Sequence, residues 1–361
     1  TIGCPVSQIH RKNNLTRTYM KLTLTVLAAI FLHCFICAQV SINNNLTTES
    51  SPFICQPGVN NKAPGKGASV TYSFNPDFQL QSPDSENSSK VRRSEKFDAN
   101  LKVPVLNKPK FKFVLGLKYS VERYHFQSIV PENYPLFKRL NETDLKSTGI
   151  AAYFINPINH KFYASFRLGA SWQGDYSKFV SIDNRYATYN VAGIFGIKKH
   201  EDLEYGVGIL FNKGFRNTNL LPFGFFNRTF NEHWGVELAI PNSLKVRYNI
   251  NPKHLVLLGT EFSSQNYALN VKEPVNNPFP NNELEKAPYH YHRSTLDLTA
   301  TFYRQLTSWT WVQAKTGYGF NLNSESRDIP ENQTYDLRPS GGWVGMLSFF
   351  VTPPRHKLEK H

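Results

Sequence analysis

The sequence contains little cysteine, and its few cysteines are badly placed for a disulfide framework. Of four cysteines in 361 residues, Cys4, Cys34 and Cys37 lie before or within an apolar stretch near the amino end. Only Cys55 would remain if that stretch were removed on export. A small secreted domain stapled by disulfides is therefore excluded, and the fold must close by other means.

Long apolar runs are also scarce, and the mean hydropathy is −0.42. This excludes a polytopic helical membrane protein, because each helical span needs about 20 mostly apolar residues. The chain is nevertheless rich in aromatic residues, with 27 Phe, 18 Tyr and 5 Trp, whereas disordered chains carry few of them. What is left is a β-rich protein in which apolar and polar residues are finely interleaved.

The amino end has the layout of a secretory signal peptide. Met20 and Lys21 precede an apolar run over 22–38, and Gln39 begins a polar exit. The alternative is a membrane-spanning helix, which the shortness of the run disfavours. We predict four regions: upstream residues and a cleaved signal peptide over 1–39, a flexible segment over 40–66, an outer-membrane β-barrel over 67–351, and a carboxy-terminal tail over 352–361.

From about residue 67 onward, apolar and polar residues alternate with period two, which is typical of β-strands. The clearest segments are 110–122, 161–173 and 203–212. They are longer than the usual soluble strand of about five or six residues. They match the roughly 9–11 residues that a tilted strand needs to cross a bilayer.

We therefore predict an all-β fold, a transmembrane antiparallel up-and-down β-barrel of about fourteen strands. Its apolar face would meet lipid and its polar face would line the lumen. The strand number depends on the tight link 241–243, because twelve strands are the alternative if 234–250 form one bent strand. The competing fold is a soluble sandwich, in which Phe111, Phe166 and Val207 would meet in a dry core.

Charged residues fall on the polar faces of the strands. The predicted lumen lining comprises Lys112, Lys118, Glu122, Arg167, Glu204, Glu237, Arg247, Glu261, Asp297 and Lys315. If 241–243 is a hairpin, Glu237 lies across from Arg247 as a pair of opposite charge. Two interpretations stay open: a lining that selects solutes, or ion pairs that fill a closed interior. The near balance of the two signs argues against strong ion selectivity.

No catalytic or cofactor-binding motif is found. The sequence has no G-x-S-x-G elbow, no H-E-x-x-H helix, no phosphate loop and no dinucleotide fingerprint, so we predict neither an enzyme nor a cofactor. His290 and His292 would share one face of a strand and could chelate a transition metal, with His125 as a distant third ligand. Two ligands give only a weak metal signal, so an aromatic rim with polar tips is preferred and no metal site is predicted.

Several stretches resemble an uncharacterised family of Gram-negative outer-membrane β-barrel proteins. They are the leader and residues 221–224, 234–237, 238–241 and 245–248. The resemblance extends over about 67–350 and implies a barrel in the outer membrane of a Gram-negative bacterium. It implies no activity and no site residues, because the family itself is uncharacterised. The chain departs from such barrels at its end, where eleven residues follow Phe350.

These features together predict an integral outer-membrane protein for passive or facilitated passage of small solutes. The alternatives are a structural or adhesive barrel with a closed, ion-paired lumen, and a soluble secreted β-sandwich that acts as a binding module. The formal net charge is +14, which on an exported chain fits anionic lipid or solubility better than nucleic acid. The predicted partners are outer-membrane lipid, the barrel-assembly machinery and small solutes, without nucleic acid.

Overall fold

The structure is a computed structural model that describes residues 55–82, 85–132, 134–214, 218–272, 286–328 and 334–352. The predicted signal peptide, the first part of the predicted flexible segment and nearly all of the predicted tail lie outside these residues. Among the described residues, no helix has the length and apolar character needed to span a membrane.

The described chain consists almost entirely of antiparallel strands. The elements are β1 Ala68–Gln81, β2 Ser88–Lys108, β3 Phe111–Ser128, α1 Pro135–Glu142, β4 Leu145–Pro157, β5 Phe162–Gly174, β6 Ala187–His200, β7 Leu203–Lys213, β8 Thr218–Thr229, β9 Trp234–Ile240, β10 Ser243–Asn251, β11 His254–Lys272, β12 Lys286–Gln305, β13 Thr310–Asp328, β14 Thr334–Asp336, β15 Arg338–Pro339 and β16 Gly342–Val351.

The strands close into a ring. Each strand from β1 to β13 pairs with the next, β13 pairs with β16, and β16 pairs with β1 from Ala68↔Val351 to Phe74↔Gly345. The short strands β14 and β15 add to β13 and β1. The prediction of a closed antiparallel up-and-down barrel with fourteen strands is confirmed. The two-sheet sandwich is wrong, because one continuous ladder satisfies the backbone of every barrel strand.

Links of different length separate the two ends of the barrel. At the turn end, where β1 begins and β16 ends, strands join through short turns such as 109–110, 201–202 and 252–253. At the loop end the links are longer, and one of them contains α1. The exception is the hairpin at 241–242, where β9 and β10 pair from Ser243↔Ala239 to Tyr248↔Trp234. This hairpin keeps the strand number at fourteen, as one of the two sequence interpretations predicts.

Alternation along the strands places apolar side chains on the outer face. Val207 is 66% exposed, Phe166 53% and Phe111 37%. On the opposite, inward face, Glu204 and Ser120 are buried. The period of two in the sequence therefore separates an apolar exterior from a polar interior, and the three residues that a sandwich would bury together lie apart on the outside.

Candidate functional site

Inside the turn end, residues 55–67 run across the barrel; we call this segment the strap. Along its length it contacts strands on opposite sides of the ring. The contacts join Gln56 to Lys112 of β3 and Lys198 of β6, Asn60 to Thr229 of β8, Ala63 to Glu237 of β9, and Lys66 to Ser348 of β16. The described part of the segment predicted to be flexible is thus bound to the wall, because the wall supplies partners for its backbone groups.

Glu204 holds the first part of the strap. One carboxylate oxygen accepts hydrogen bonds from the Gly58 backbone N–H at 2.8 Å and the Tyr163 hydroxyl at 2.6 Å. The other oxygen accepts from Asn227 Nδ2 at 3.1 Å. A buried carboxylate needs such donors, since burial without them is costly. Tyr163 can reach Glu204 because residue 196 is glycine: a Cβ atom on residue 196 would lie only 2.1 Å from the Tyr163 ring.

Glu237 and Arg247 hold the middle of the strap. Arg247 is fully buried, and its Nη1 donates to Glu237 Oε1 at 2.9 Å. Its Nη2 donates to Thr229 Oγ1 at 2.7 Å and to the Asn60 carbonyl at 3.4 Å. The predicted pair of opposite charge is present, but Arg247 reaches Glu237 diagonally. The residue directly opposite Glu237 is Lys245.

Between the strap and the loop end lies a polar cavity of about 210 Å³, which we call the chamber. Glu261 forms its main ion-pair centre and accepts from Lys245 Nζ at 2.5 Å and Lys315 Nζ at 2.8 Å. The charged residues that line the chamber are Lys96, Asp98, Glu122, Glu261, Arg293, Asp297 and Lys315.

The remaining predicted lining residues occupy other parts of the inward faces. Lys118 Nζ lies 4.0 Å from Asp98 Oδ1 and is half exposed. Arg167 is exposed, with its guanidinium 5.6 Å from the centre of the Tyr153 ring. Glu122, which also lines the chamber, is buried and accepts from the Tyr267 hydroxyl of β11, far around the ring, at 2.9 Å. The structure therefore divides the ten residues among strap, chamber and open wall, and their role as a solute lining stays a prediction.

A buried apolar cluster fills the loop end, and we call it the cap. Its members are Phe78, Leu80, Val91, Tyr124, Leu136, Phe137, Leu140, Leu145, Tyr267, Leu269, Tyr289, Tyr291 and Leu337. They come from both sides of the ring and from α1. The β-bridge Ala268↔Gly174 also joins β11 to β5, although these strands are not neighbours around the ring. The cap and this bridge occupy the interior between opposite walls.

Hydrogen bonds to Asp175, in the link after β5, join α1 to β11 beside the cap. Arg139 of α1 donates from Nε to Asp175 Oδ2 at 2.6 Å. The same carboxylate accepts from the backbone N–H and Nδ2 of Asn270 at 2.8 and 2.9 Å. Sequence reasoning missed this site. The apolar spacing of Leu136, Phe137 and Leu140 in α1 was the available signal.

Burial changes the acidity of two strap groups. The pKa of the Cys55 thiol is raised, chiefly by burial. The pKa of Lys66 is lowered to about 8, first by burial and then by the charges of Lys315 and Lys245. The strap therefore carries an ammonium group that the surrounding interior disfavours near neutral pH.

The histidines singled out in the sequence are not gathered into a metal centre. Among the described residues, no group of three or more His, Cys, Asp or Glu side chains could hold a metal ion. His292 Nδ1 lies 2.8 Å from Asn266 Oδ1, and His125 Nε2 lies 3.4 Å from Glu95 Oε2. His290 is on the same strand as His292, at the loop end of β12.

Comparisons with known proteins give one family and several similar solved structures. Residues 114–324 match the model of a family described as Domain of unknown function (DUF6268). No curated protein sequence matches the chain. Among solved structures, a FadL homologue from Pseudomonas aeruginosa is similar with a TM-score of 0.40 and 9% identity, over 79% of this chain and 90% of that chain.

Two further solved structures are similar to the chain. The TodX monoaromatic hydrocarbon channel, as its deltaS2 mutant, has a TM-score of 0.39 and 10% identity, over 82% of this chain and 91% of that chain. The translocator domain of the autotransporter NalP from Neisseria meningitidis has a TM-score of 0.29 and 10% identity, over 81% and 90%.

Proposed function

We propose that this chain, which belongs to the family of the domain of unknown function DUF6268, is an outer-membrane barrel that passes small solutes when its strap and cap are displaced. The barrel lies in the outer membrane of a Gram-negative bacterium, with the turn end in the periplasm and the loop end outside. It acts as a passage rather than as an enzyme, and its surroundings are lipid and, during insertion, the barrel-assembly machinery.

The apolar outer face supports the membrane location. Side chains on several strands, such as Phe166 of β5, Val207 of β7 and Leu258 of β11, are more than half exposed. In water, contiguous apolar patches of this kind are rare on monomeric proteins. In lipid, the same side chains face hydrocarbon, and closure of the ladder pairs both edges of each barrel strand.

The strap is the main support for a passage that can open and close. It crosses the lumen and is held by hydrogen bonds and charged side chains rather than by a large apolar core, as the contacts of Glu204 and Glu237 show. Each such bond to a charged group contributes a net of about 1.5–3 kcal/mol. A small number of such contacts can be exchanged for water, so the strap can leave without unfolding the wall.

Conductance in a planar lipid bilayer tests this function. The variants are a deletion of residues 55–64, a replacement of α1 by a Gly-Ser linker of equal length, and the two changes combined. Because the strap and the cap obstruct the lumen in series, we expect little current from the wild type and from each single variant. The combined variant should conduct. Adding Arg167→Glu to it should shift ion preference toward cations.

The second candidate function is a structural barrel with a permanently closed lumen. The cap and the Ala268↔Gly174 bridge favour it, because they join opposite walls through buried contacts. If the combined variant retains wild-type β-sheet circular dichroism and yet stays silent in the bilayer, passage is wrong and this second function stands.

A further inference from the structure

Arg293 of β12 is a partly buried cation that has a hydrogen bond to the Tyr124 hydroxyl and feels the charge of Glu122, but it has no carboxylate within ion-pair distance. Among the described residues, no Asp or Glu oxygen lies within 4.0 Å of its guanidinium, and its buried Nε–H donates to no acceptor. Its guanidinium lies 5.2 Å from the centre of the Phe78 ring. A cation–π contact of this kind stabilises the charge only in part, and an unpaired buried charge is costly. The position is suited to an anion.

Asp297 is a partly buried carboxylate that has a hydrogen bond with the Thr295 side chain but no ion-pair partner in contact. It lies on the same inward face of β12, four residues further along. Its Oδ1 is buried without a hydrogen-bond partner, and no Lys, Arg or His nitrogen of the described residues lies within 4.0 Å. The residue directly opposite is Glu261, whose oxygens are taken by Lys245 and Lys315. The position is suited to a cation.

Both residues line the chamber, whose volume is about 210 Å³. Drug-sized pockets measure about 300–1,000 Å³, so the chamber suits a smaller molecule. Four residues of strand span about 13 Å between the two backbone positions, and the charge of Arg293 still acts on the Asp297 carboxylate. Hydroxyls of Ser73, Ser94 and Thr295 complete the polar lining.

We propose that the chamber binds a small zwitterion of amino-acid size, with its carboxylate on Arg293 and its ammonium group on Asp297. Each end of such a molecule would supply the charge that the protein leaves unpaired, in an interior where charge-assisted hydrogen bonds are strong. The inference deepens the proposed function and rests on it for the route by which the ligand enters.

Equilibrium dialysis with radiolabelled L-alanine tests the site, on the purified full chain and on the opened variant that lacks both strap residues 55–64 and α1. Two unlabelled competitors each keep one charged end: N-acetyl-L-alanine keeps the carboxylate, and L-alaninamide keeps the ammonium group. L-Alanine should bind saturably. Each blocked competitor should bind at least about 10-fold more weakly, because it loses one charge-assisted contact.

Two variants test which residue binds each charged end of the ligand. Arg293→Gln should weaken L-alanine and N-acetyl-L-alanine but leave L-alaninamide unchanged, whereas Asp297→Asn should do the reverse. Simple misfolding would weaken all three probes together. Arg304→Gln and Asp336→Asn are matched controls at exposed positions, and they should bind all probes as the wild type does.

The site is overturned if neither protein binds L-alanine saturably, if all three probes bind equally, or if the control variants weaken binding as much as R293Q and D297N. The dialysis and the conductance measurements test the zwitterion site and the passage independently. Saturable binding in a barrel that never conducts would refute passage and leave the chamber assignment standing. Conductance without binding would refute only the zwitterion.

Discussion

Arg247 is a fully buried cation at the turn end of the barrel. Its side chain pairs with Glu237 at 2.9 Å, and also donates to Thr229 and to the strap at Asn60. A buried pair of this kind adds little compared with apolar residues, but removing one partner leaves a buried charge without compensation.

We therefore expect Arg247→Ala to lower the free energy of unfolding by about 3–5 kcal/mol. Urea denaturation of the barrel in phospholipid vesicles measures the change. Arg228→Ala is the matched control, because Arg228 is exposed near the same end of β8, and a loss below about 1 kcal/mol is expected there. Similar losses for the two variants would contradict the role assigned to Arg247.

The alternation of apolar and polar residues with period two was enough to place both Glu237 and Arg247 on the inward face. A hairpin at 241–243 then predicted that the two side chains would meet. The sequence could not show that Lys245 is the direct partner across the ladder. Side-chain length decides this, because the longer reach of arginine allows a diagonal contact. The sequence also could not show that Arg293 and Asp297 have no ion-pair partner in contact, because this depends on which side chains other strands bring near them.

At the scale of elements, the strap is the feature that changes the functional interpretation most. Its composition is polar, with Gly and Pro and no strand period, which predicts a flexible segment. In the structure its backbone finds partners on β7, β8 and β9 that lie far away in sequence. Only the closed ring brings these partners to one place.

The strap gives the barrel a pH dependence. Lys66 has its pKa lowered from 10.5 to about 8 in the folded barrel. Between these two values the unfolded chain binds more protons, so the free energy of unfolding rises with pH over this range. At pH 7 Lys66 is protonated in both states, and the partly buried ammonium group destabilises the folded barrel.

Lys66→Met should therefore be more stable than the wild type at pH 7, and the difference should shrink as the pH rises from 8 to 10. Urea denaturation of both proteins at each pH gives this difference and cancels the titration of other groups. Lys90→Met, at an exposed lysine of β2, should show a difference that does not change with pH. A constant difference for K66M would show that Lys66 is not desolvated.

At the scale of the whole molecule, the closed ring determines what each face meets. Val207 lies near the middle of β7 and Val105 near the turn end of β2, and both are exposed on the outer face. If the barrel spans a membrane, the two positions differ in depth although they are equally apolar. A lysine costs about 2–4 kcal/mol at the bilayer midplane and about 0–1 near the interface.

Val207→Lys should thus lower the free energy of unfolding in phosphatidylcholine vesicles by about 2–4 kcal/mol, and Val105→Lys by about 1 kcal/mol or less. Urea denaturation of the vesicle-inserted protein measures both. Equal effects at the two depths would mean that the outer face does not meet hydrocarbon.

The sequence by itself determined the class of fold and the alternation of faces, and it narrowed the strand number to fourteen or twelve, between which the 241–242 hairpin of the structure decided. These follow from the period of two and from turn positions, which are local properties of the chain. Only the tertiary structure decided that the lumen is crossed by the strap and filled by the cap. Those contacts join residues that are distant in sequence, and closure of the ring is what sets their separation in space.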